Sequence, residues 1–274
     1  MNISDIKDTK NSMIVVADAN FFPHNAYECA KSMAKSFTKE IAILVFTNKN
    51  DNKSTIEARW NQWLDEEKQK DNYLPTLLWI MDCDNSKLNT IVEETESVML
   101  FFETNGDGVY SKTKNVLKIC RELRVPYVLT KKNDNLNYTF NKILVPVTFL
   151  VEDKEKGPYS ANMGRFANSE ITLMKAKDYG TKAEKNTESI RLLYDKFNLK
   201  YDFKEAKKDS FAVEKEAIQI ANNENYDMVI ISASREYGMD DIFFGPKELH
   251  AYNQTKHVPV MMINPRADLY VLCW

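Results

Sequence analysis

Residues 142–147 read KILVPV, and this stretch decides the fold because it restarts a pattern the chain has already run through once. Residues 143–149 (ILVPVTF) form a short apolar run interrupted only by Thr148, as expected of a strand buried on both faces in a parallel sheet. Working backward, similar runs stand at 12–18 (SMIVVAD), 40–46 (EIAILVF), 76–81 (TLLWIM), 98–102 (VMLFF) and 126–129. Apolar residues at helical spacing separate them: Ala26, Ala30, Met33 and Phe37; then Ile56, Trp60, Trp63 and Leu64; then Leu88, Ile91 and Val92; then Val116, Leu117, Cys120 and Leu123. The spacing makes Trp60 and Trp63 core residues rather than a ligand platform. Working forward, strands are predicted at 170–174, 200–206, 227–232 and 258–263, with helices near 159–166 (weakly), 183–197, 213–220 and 247–255. Capping-box spacing at Ser54–Glu57 and Thr181–Glu184 predicts two helix starts.

Five strands and four helices thus recur in one order, joined by a polar stretch at 131–141 (KKNDNLNYTFN). The expected fold is α/β, two doubly wound five-stranded parallel-sheet domains in tandem, at 1–135 and 140–266. The segment 267–274 (ADLYVLCW) is apolar on both faces, and two readings stand: an added edge strand, or a tail that docks into a partner chain.

Bulk composition removes several function classes. The 274 residues carry 37 Lys and Arg against 40 Asp and Glu, so no basic excess points to nucleic acid or an anionic membrane. No run approaches the length of a membrane span, and the opening MNISDIKDTKNSM has no apolar core of a signal peptide, which predicts a cytosolic protein. Cys29, Cys83, Cys120 and Cys273 form no paired motif and read as buried reduced thiols, and with His24, His250 and His257 also scattered no zinc site is expected. The Asp-bearing stretches 81–84 and 238–241 read as a strand end and a solvated turn, and Lys204, Lys207 and Lys208 as a charged edge. His24 reads as a solvated loop histidine. Only 7 glycines are present, few for a fold that must bring bare backbone against phosphates.

Sheets of this kind bind ligands past the carboxyl ends of the strands, where strand order reverses. That places Asp18 beside residues 103–113 in the first half, and Thr148 beside residues 232–245 in the second.

At these positions the second half resembles the universal stress protein family. The resemblance rests on KILVPV at 142–147, on YDMVIISAS at 226–234 leading to a loop with Gly238 and Gly245, and on VPVMMIN at 258–264. The first half keeps the plan less closely, with VVAD at 15–18 and VPYVL at 125–129. What the resemblance implies is the adenine nucleotide alpha hydrolase-like fold, pairing of such units through their fifth strands, and, in ATP-binding members, a G-x-x-G loop followed nine residues later by G-[ST]. Set on Gly245, that motif puts Ser232 and Arg235 at its first two glycines and Pro246 at its hydroxyl; Thr148 stands where the family commonly has an aspartate. Arg235 puts a long side chain where backbone should meet phosphate, and Pro246 removes a hydroxyl and an N–H donor. The second half is therefore expected not to bind ATP in the family manner.

In the first half Asp18 keeps the aspartate position. The loop 103–113 is shorter than the motif, yet Gly106, Gly108, Ser111, Lys112 and Thr113 could form an anion-binding nest at a helix start. The competing reading, an ordinary turn and N-cap, is preferred. No P-loop, GxSxG elbow, HExxH, SGGxDS or HxGH motif occurs, so no catalytic residue is assigned. Expected, then, is a non-catalytic stress or regulatory protein without a cofactor, acting through a protein partner, self-association or a small ligand. The alternative is ATP or AMP binding with Mg and slow ATPase activity through Asp18 and the 106–113 loop.

Overall fold

The computed structural model describes residues 11–70, 76–82, 87–106, 108–132, 137–234 and 245–266. The chain divides into two compact units, Met1–Asn137 and Tyr138–Trp274.

The first unit runs β1 (Met13–Asp18), α1 (His24–Phe37), β2 (Ile41–Thr47), α2 (Lys53–Lys70), β3 (Thr76–Asp82), α3 (Lys87–Glu94), β4 (Met99–Thr104), α4 (Thr113–Cys120) and β5 (Tyr127–Lys131). Its strand order is β3-β2-β1-β4-β5, with every neighbouring pair parallel. Strands β2 and β4 are buried at every residue, which is why they read as unbroken apolar runs rather than alternating ones. Helix α1 packs Ala26, Ala30, Met33 and Ala34 inward, and Thr38 closes it in the left-handed conformation with its N–H on the Ala34 and Lys35 carbonyls.

The second unit runs β6 (Lys142–Val147), a 3-10 turn (Val151–Glu155), α5 (Lys156–Phe166), β7 (Glu170–Lys175), α6 (Lys182–Lys196), β8 (Tyr201–Glu205), α7 (Val213–Asn223), β9 (Met228–Ser232), α8 (Lys247–Tyr252) and β10 (Val260–Ile263). Its order, β10-β9-β6-β7-β8, repeats that of the first unit, again all parallel. Both units therefore reverse strand order at one place, between β1 and β4 and between β6 and β9. Trp60 and Trp63 are buried as expected, and the Trp60 indole N–H donates to the Ala19 carbonyl at 3.0 Å, fixing the chain just past β1.

Several expectations are corrected. Ser54 does not cap α2; it lies inside the helix, and the Asn52 side chain accepts from the Thr55 N–H (3.3 Å) and the Ser54 hydroxyl (2.7 Å). Thr181 precedes α6 without a side-chain cap bond, and the Glu184 carboxylate that would return to the Thr181 N–H is drawn instead to the Lys175 ammonium. The weak helix near 159–166 begins earlier, at Lys156, where a charged pair described below anchors it. Helix α8 ends at Tyr252, short of residue 255. His24 opens α1 rather than lying in a loop, with its ring edge-on to Trp63 at 5.5 Å. Cys29 and Cys120 are buried free thiols whose pKa burial pushes up; Cys83, Cys273 and the segment 267–274 lie outside the described residues. Among the described residues no helix is long and apolar enough to cross a membrane, and no cluster of His, Cys, Asp and Glu could hold a metal ion.

Candidate functional site

Both candidate sites lie at the carboxyl ends of the strands flanking the reversal. In each unit several of the backbone amides there are bonded to the protein's own carboxylates.

In the first unit, Asp18 closes β1 and points into the loop after β4. Its Oδ1 accepts from the Val109 N–H at 2.9 Å, and its Oδ2 from the Tyr110 N–H at 3.0 Å and the Ser111 hydroxyl at 3.2 Å. The glycines make this approach feasible: a Cβ on Gly108 would fall 1.9 Å from Asp18 Oδ2, and one on Gly106 would fall 2.7 Å from Ser111 Cβ. Asp18, Gly108 and Ser111 thus meet at one point. Lys112 stands beside it as an exposed positive charge, and Thr113 opens α4. The expected N-cap is corrected: the cap residue of α4 is Lys112, in extended conformation and without a side-chain cap bond, while the Ser111 hydroxyl is turned to Asp18. Burial raises the Asp18 pKa, and the two amides, Ser111 and Lys112 only partly offset it.

Two further groups complete this filling, and neither was visible in the sequence. The Tyr110 ring stacks on Phe46 at the end of β2, with centroids 4.6 Å apart and planes 15° apart, and both rings are buried. Glu103, buried near the end of β4, accepts from the Asn25 N–H at 2.5 Å and the Ala26 N–H at 3.4 Å at the start of α1. Pro23, the residue before α1, offers no side-chain cap, so Glu103 supplies the negative charge that a helix N-terminus favours. Burial raises its pKa against those hydrogen bonds.

In the second unit the filling is ionic. Thr148 stands just past β6, and its N–H donates to Asp153 Oδ2 at 2.5 Å. The other Asp153 oxygen accepts from the Ser232 hydroxyl at 2.7 Å. Lys156, the first residue of α5 and wholly buried, lies 3.1 Å from Asp153 and 3.6 Å from Glu214, and donates to the Pro146 carbonyl at 2.6 Å. Glu214 accepts the Ser232 N–H at 3.1 Å and reaches Lys247 at 3.5 Å. Two carboxylates and two ammonium groups therefore balance one another around Ser232. Burial opposes the charge on Asp153, but Lys156, Ser232 and Thr148 outweigh it and hold its pKa below the usual carboxylate range. Burial likewise opposes Lys247, and Glu214, Asp153 and Glu248 reverse the effect, so its pKa stands above the ordinary value. Nearby, buried Glu248 accepts from the Ser234 hydroxyl at 2.7 Å, and burial raises its pKa.

Of the four motif positions in this half, Ser232 lies within the network, and Gly245 (φ 85°) and Pro246 lead into α8. Arg235, with Gly238, lies outside the described residues. The sequence signal for the network was a D-x-x-K spacing at Asp153 and Lys156, one helical turn apart and starting five residues after Thr148.

No protein-family model matches the chain, and no curated protein sequence does. Solved structures do. A universal stress protein from Archaeoglobus fulgidus DSM 4304 superposes with a TM-score of 0.68 at 13% identity, covering 94% of this chain and 98% of that one. A protein of Pseudomonas aeruginosa UCBPP-PA14, provisionally designated a universal stress protein, gives 0.63 at 14% identity, with 95% of each chain covered. The chain has the universal stress protein fold. The cytoplasmic domain of a prokaryotic cation chloride cotransporter superposes at 0.54 and 10% identity over 92% of this chain and 95% of that domain, so the fold by itself does not select a function.

Proposed function

We propose that this chain is a non-catalytic, cytosolic regulatory protein of the universal stress type, acting through a protein partner, self-association or a small ligand, in which neither unit takes ATP in the manner of the ATP-binding members. One observation carries the reading: the amides at the strand ends, those of Val109 and Tyr110, Asn25 and Ala26, Thr148, and Ser232, all donate to internal carboxylates. A phosphate oxygen set on any of them would stand about 4 Å or less from that carboxylate. Two unit charges at this distance repel by about 4 kcal/mol at an effective dielectric of 20. The stacked Tyr110 and Phe46 rings supply a second obstacle, since both are buried against each other at the end of β2.

The other reading, ATP or AMP with Mg held by Asp18 and the 106–113 loop, requires Asp18 to release Val109 and Tyr110. Thermal-shift titration with ATP, AMP and Mg separates the two. A ligand at about a hundred times its Kd stabilises by about 2.7 kcal/mol, a Tm rise of several degrees for a chain of this size. The expected result is no such rise. A rise that Asp18→Ala abolishes would establish the nucleotide reading instead.

A further inference from the structure

The geometry points to a separate ligand cleft in the second unit, past the carboxyl ends of β7 and β8, that takes a planar aromatic anion between Phe149, Tyr179 and Phe211 and the ammonium groups of Lys177 and Lys182. This deepens the small-ligand arm of the reading above. Because its probes carry no phosphate, its failure and the failure of the nucleotide argument are read separately.

The cleft has a volume of about 620 Å³, within the roughly 300–1,000 Å³ of ordinary small-molecule sites. Its floor is built rather than incidental. Ser210, itself buried, ties three loops together: its hydroxyl accepts from the Phe149 N–H at 2.8 Å and donates to Asp178, and its own N–H donates to Asp178 at 2.8 Å. The Lys177 N–H donates to the Lys208 carbonyl at 2.8 Å and closes the same joint.

Above this floor the apolar surface is displayed instead of buried. Phe211 is 83% exposed and Tyr179 fully exposed, while Phe149 meets Phe211 edge-on with centroids 5.5 Å apart. Large aromatics grouped at a rim with this exposure mark a binding surface, because nothing in folding favours leaving them in water. Gly180 (φ 115°) turns the chain so that no atom lies within 4 Å of the place a Cβ would take, which keeps the cleft open between Tyr179 and α6.

The groups left without a partner at the rim favour an anion. Both carboxylates lining the cleft are held by donors of the protein, Asp178 by Ser210 and Asp209 by the Phe211 N–H at 3.1 Å. Neither Lys177 nor Lys182 has an ion-pair partner among the described residues. The start of α6 faces the same space without a side-chain cap from Thr181, which adds to the preference for an anion. Flat rings to stack against and unpaired cations beside them define an aromatic carboxylate or sulfonate.

The test is calorimetric titration of the full-length chain with 2-naphthoate, with 2-naphthalenemethanol and 2-naphthylmethylammonium as neutral and cationic counterparts. Backbone amide shifts of Gly180 and Ala183 report the location. The expected result is saturable naphthoate binding, about tenfold tighter than the neutral compound, as one charge-assisted contact supplies. Phe211→Ala should weaken it about tenfold with Tm unchanged, since the side chain is exposed, and the pair Lys177→Gln and Lys182→Gln should erase the preference over the neutral compound. Absence of binding at millimolar naphthoate, equal binding of all three compounds, or affinity unmoved by these variants would overturn the proposal.

Discussion

The Oδ2 atom of Asp18 lies 1.9 Å from the point that a Cβ on Gly108 would occupy, so this carboxylate rests directly on bare backbone of the loop after β4. A glycine at this loop is what phosphate binding would require, and here the same freedom serves an internal anion. Gly108→Ala should therefore drive Asp18 away from the Val109 and Tyr110 amides. Overpacking of this kind costs about 1–3 kcal/mol. Urea unfolding should show that loss, and Asp18→Ala in the same background should add little further, since the two changes break one contact.

The buried pair Asp153–Lys156 gives a sharper expectation. Asp153→Asn leaves a wholly buried ammonium with its principal counter-charge gone, a change that costs about 3–5 kcal/mol. Replacing both partners, as Asp153→Leu with Lys156→Met, removes the charge together with its counter-charge and should recover much of the loss. Denaturation midpoints of the two variants check the order, and a double variant less stable than the single one would contradict it.

Helix α2 should show a smaller effect. Trp60→Phe removes the indole donor to the Ala19 carbonyl, but the Arg59 guanidinium donates to the same oxygen at 2.5 Å, so that oxygen is not left bare. The expected cost is about 1 kcal/mol, whereas Trp60→Ala, which opens a cavity in the core, should cost about 3–5 kcal/mol.

Acid and base should act on these carboxylates in opposite directions. Asp18 and Glu103 have folded-state pKa values raised by burial, so their contribution is fully present below the ordinary values and is lost as pH rises through the raised ones. Asp18→Asn and Glu103→Gln should accordingly gain on the native chain as pH rises from about 4 toward neutrality. Asp153 has a depressed value, so its contribution is present above the ordinary aspartate value and lost as pH falls through the folded one. Urea midpoints should show the first sign between about pH 4 and neutrality and the second only as pH falls below about 4, the ordinary aspartate value, and parallel curves for all chains would refute the assignment.

Much of the fold was legible in the sequence. The β2 and β4 runs are apolar because both of their faces are covered, and the α1 and α7 stripes fall at helical spacing because one face is. The point of reversal was placed after strands one and four because doubly wound sheets commonly reverse there, and the strand order agrees. The site was legible only in part. Gly108 and Ser111 could be picked out as special, but not that Asp18 would fill the loop they shape, since a glycine approached by a ligand and one approached by an internal side chain look alike in sequence. Glu103 was hidden because it reads as the polar end of an apolar strand. Lys156, Glu214 and Glu248 were hidden because charged residues at the starts of helices are usually solvated, and only the fold brings these three inside. The capping boxes at Ser54 and Thr181 failed for a related reason: nearby Asn52 and Lys175 took the polar groups that local spacing assigned elsewhere.

The measurement that bears most directly on the filled strand ends is a ¹⁵N NMR titration of the full-length chain with Mg·ATP, following the Val109, Tyr110, Thr148 and Ser232 amides. With internal carboxylates already holding these four N–H groups, their resonances should stay in place at millimolar nucleotide. Saturable shifts at Val109 and Tyr110, or at Thr148 and Ser232, would mean that a phosphate displaces Asp18 or the Asp153–Glu214 network, and would contradict the account.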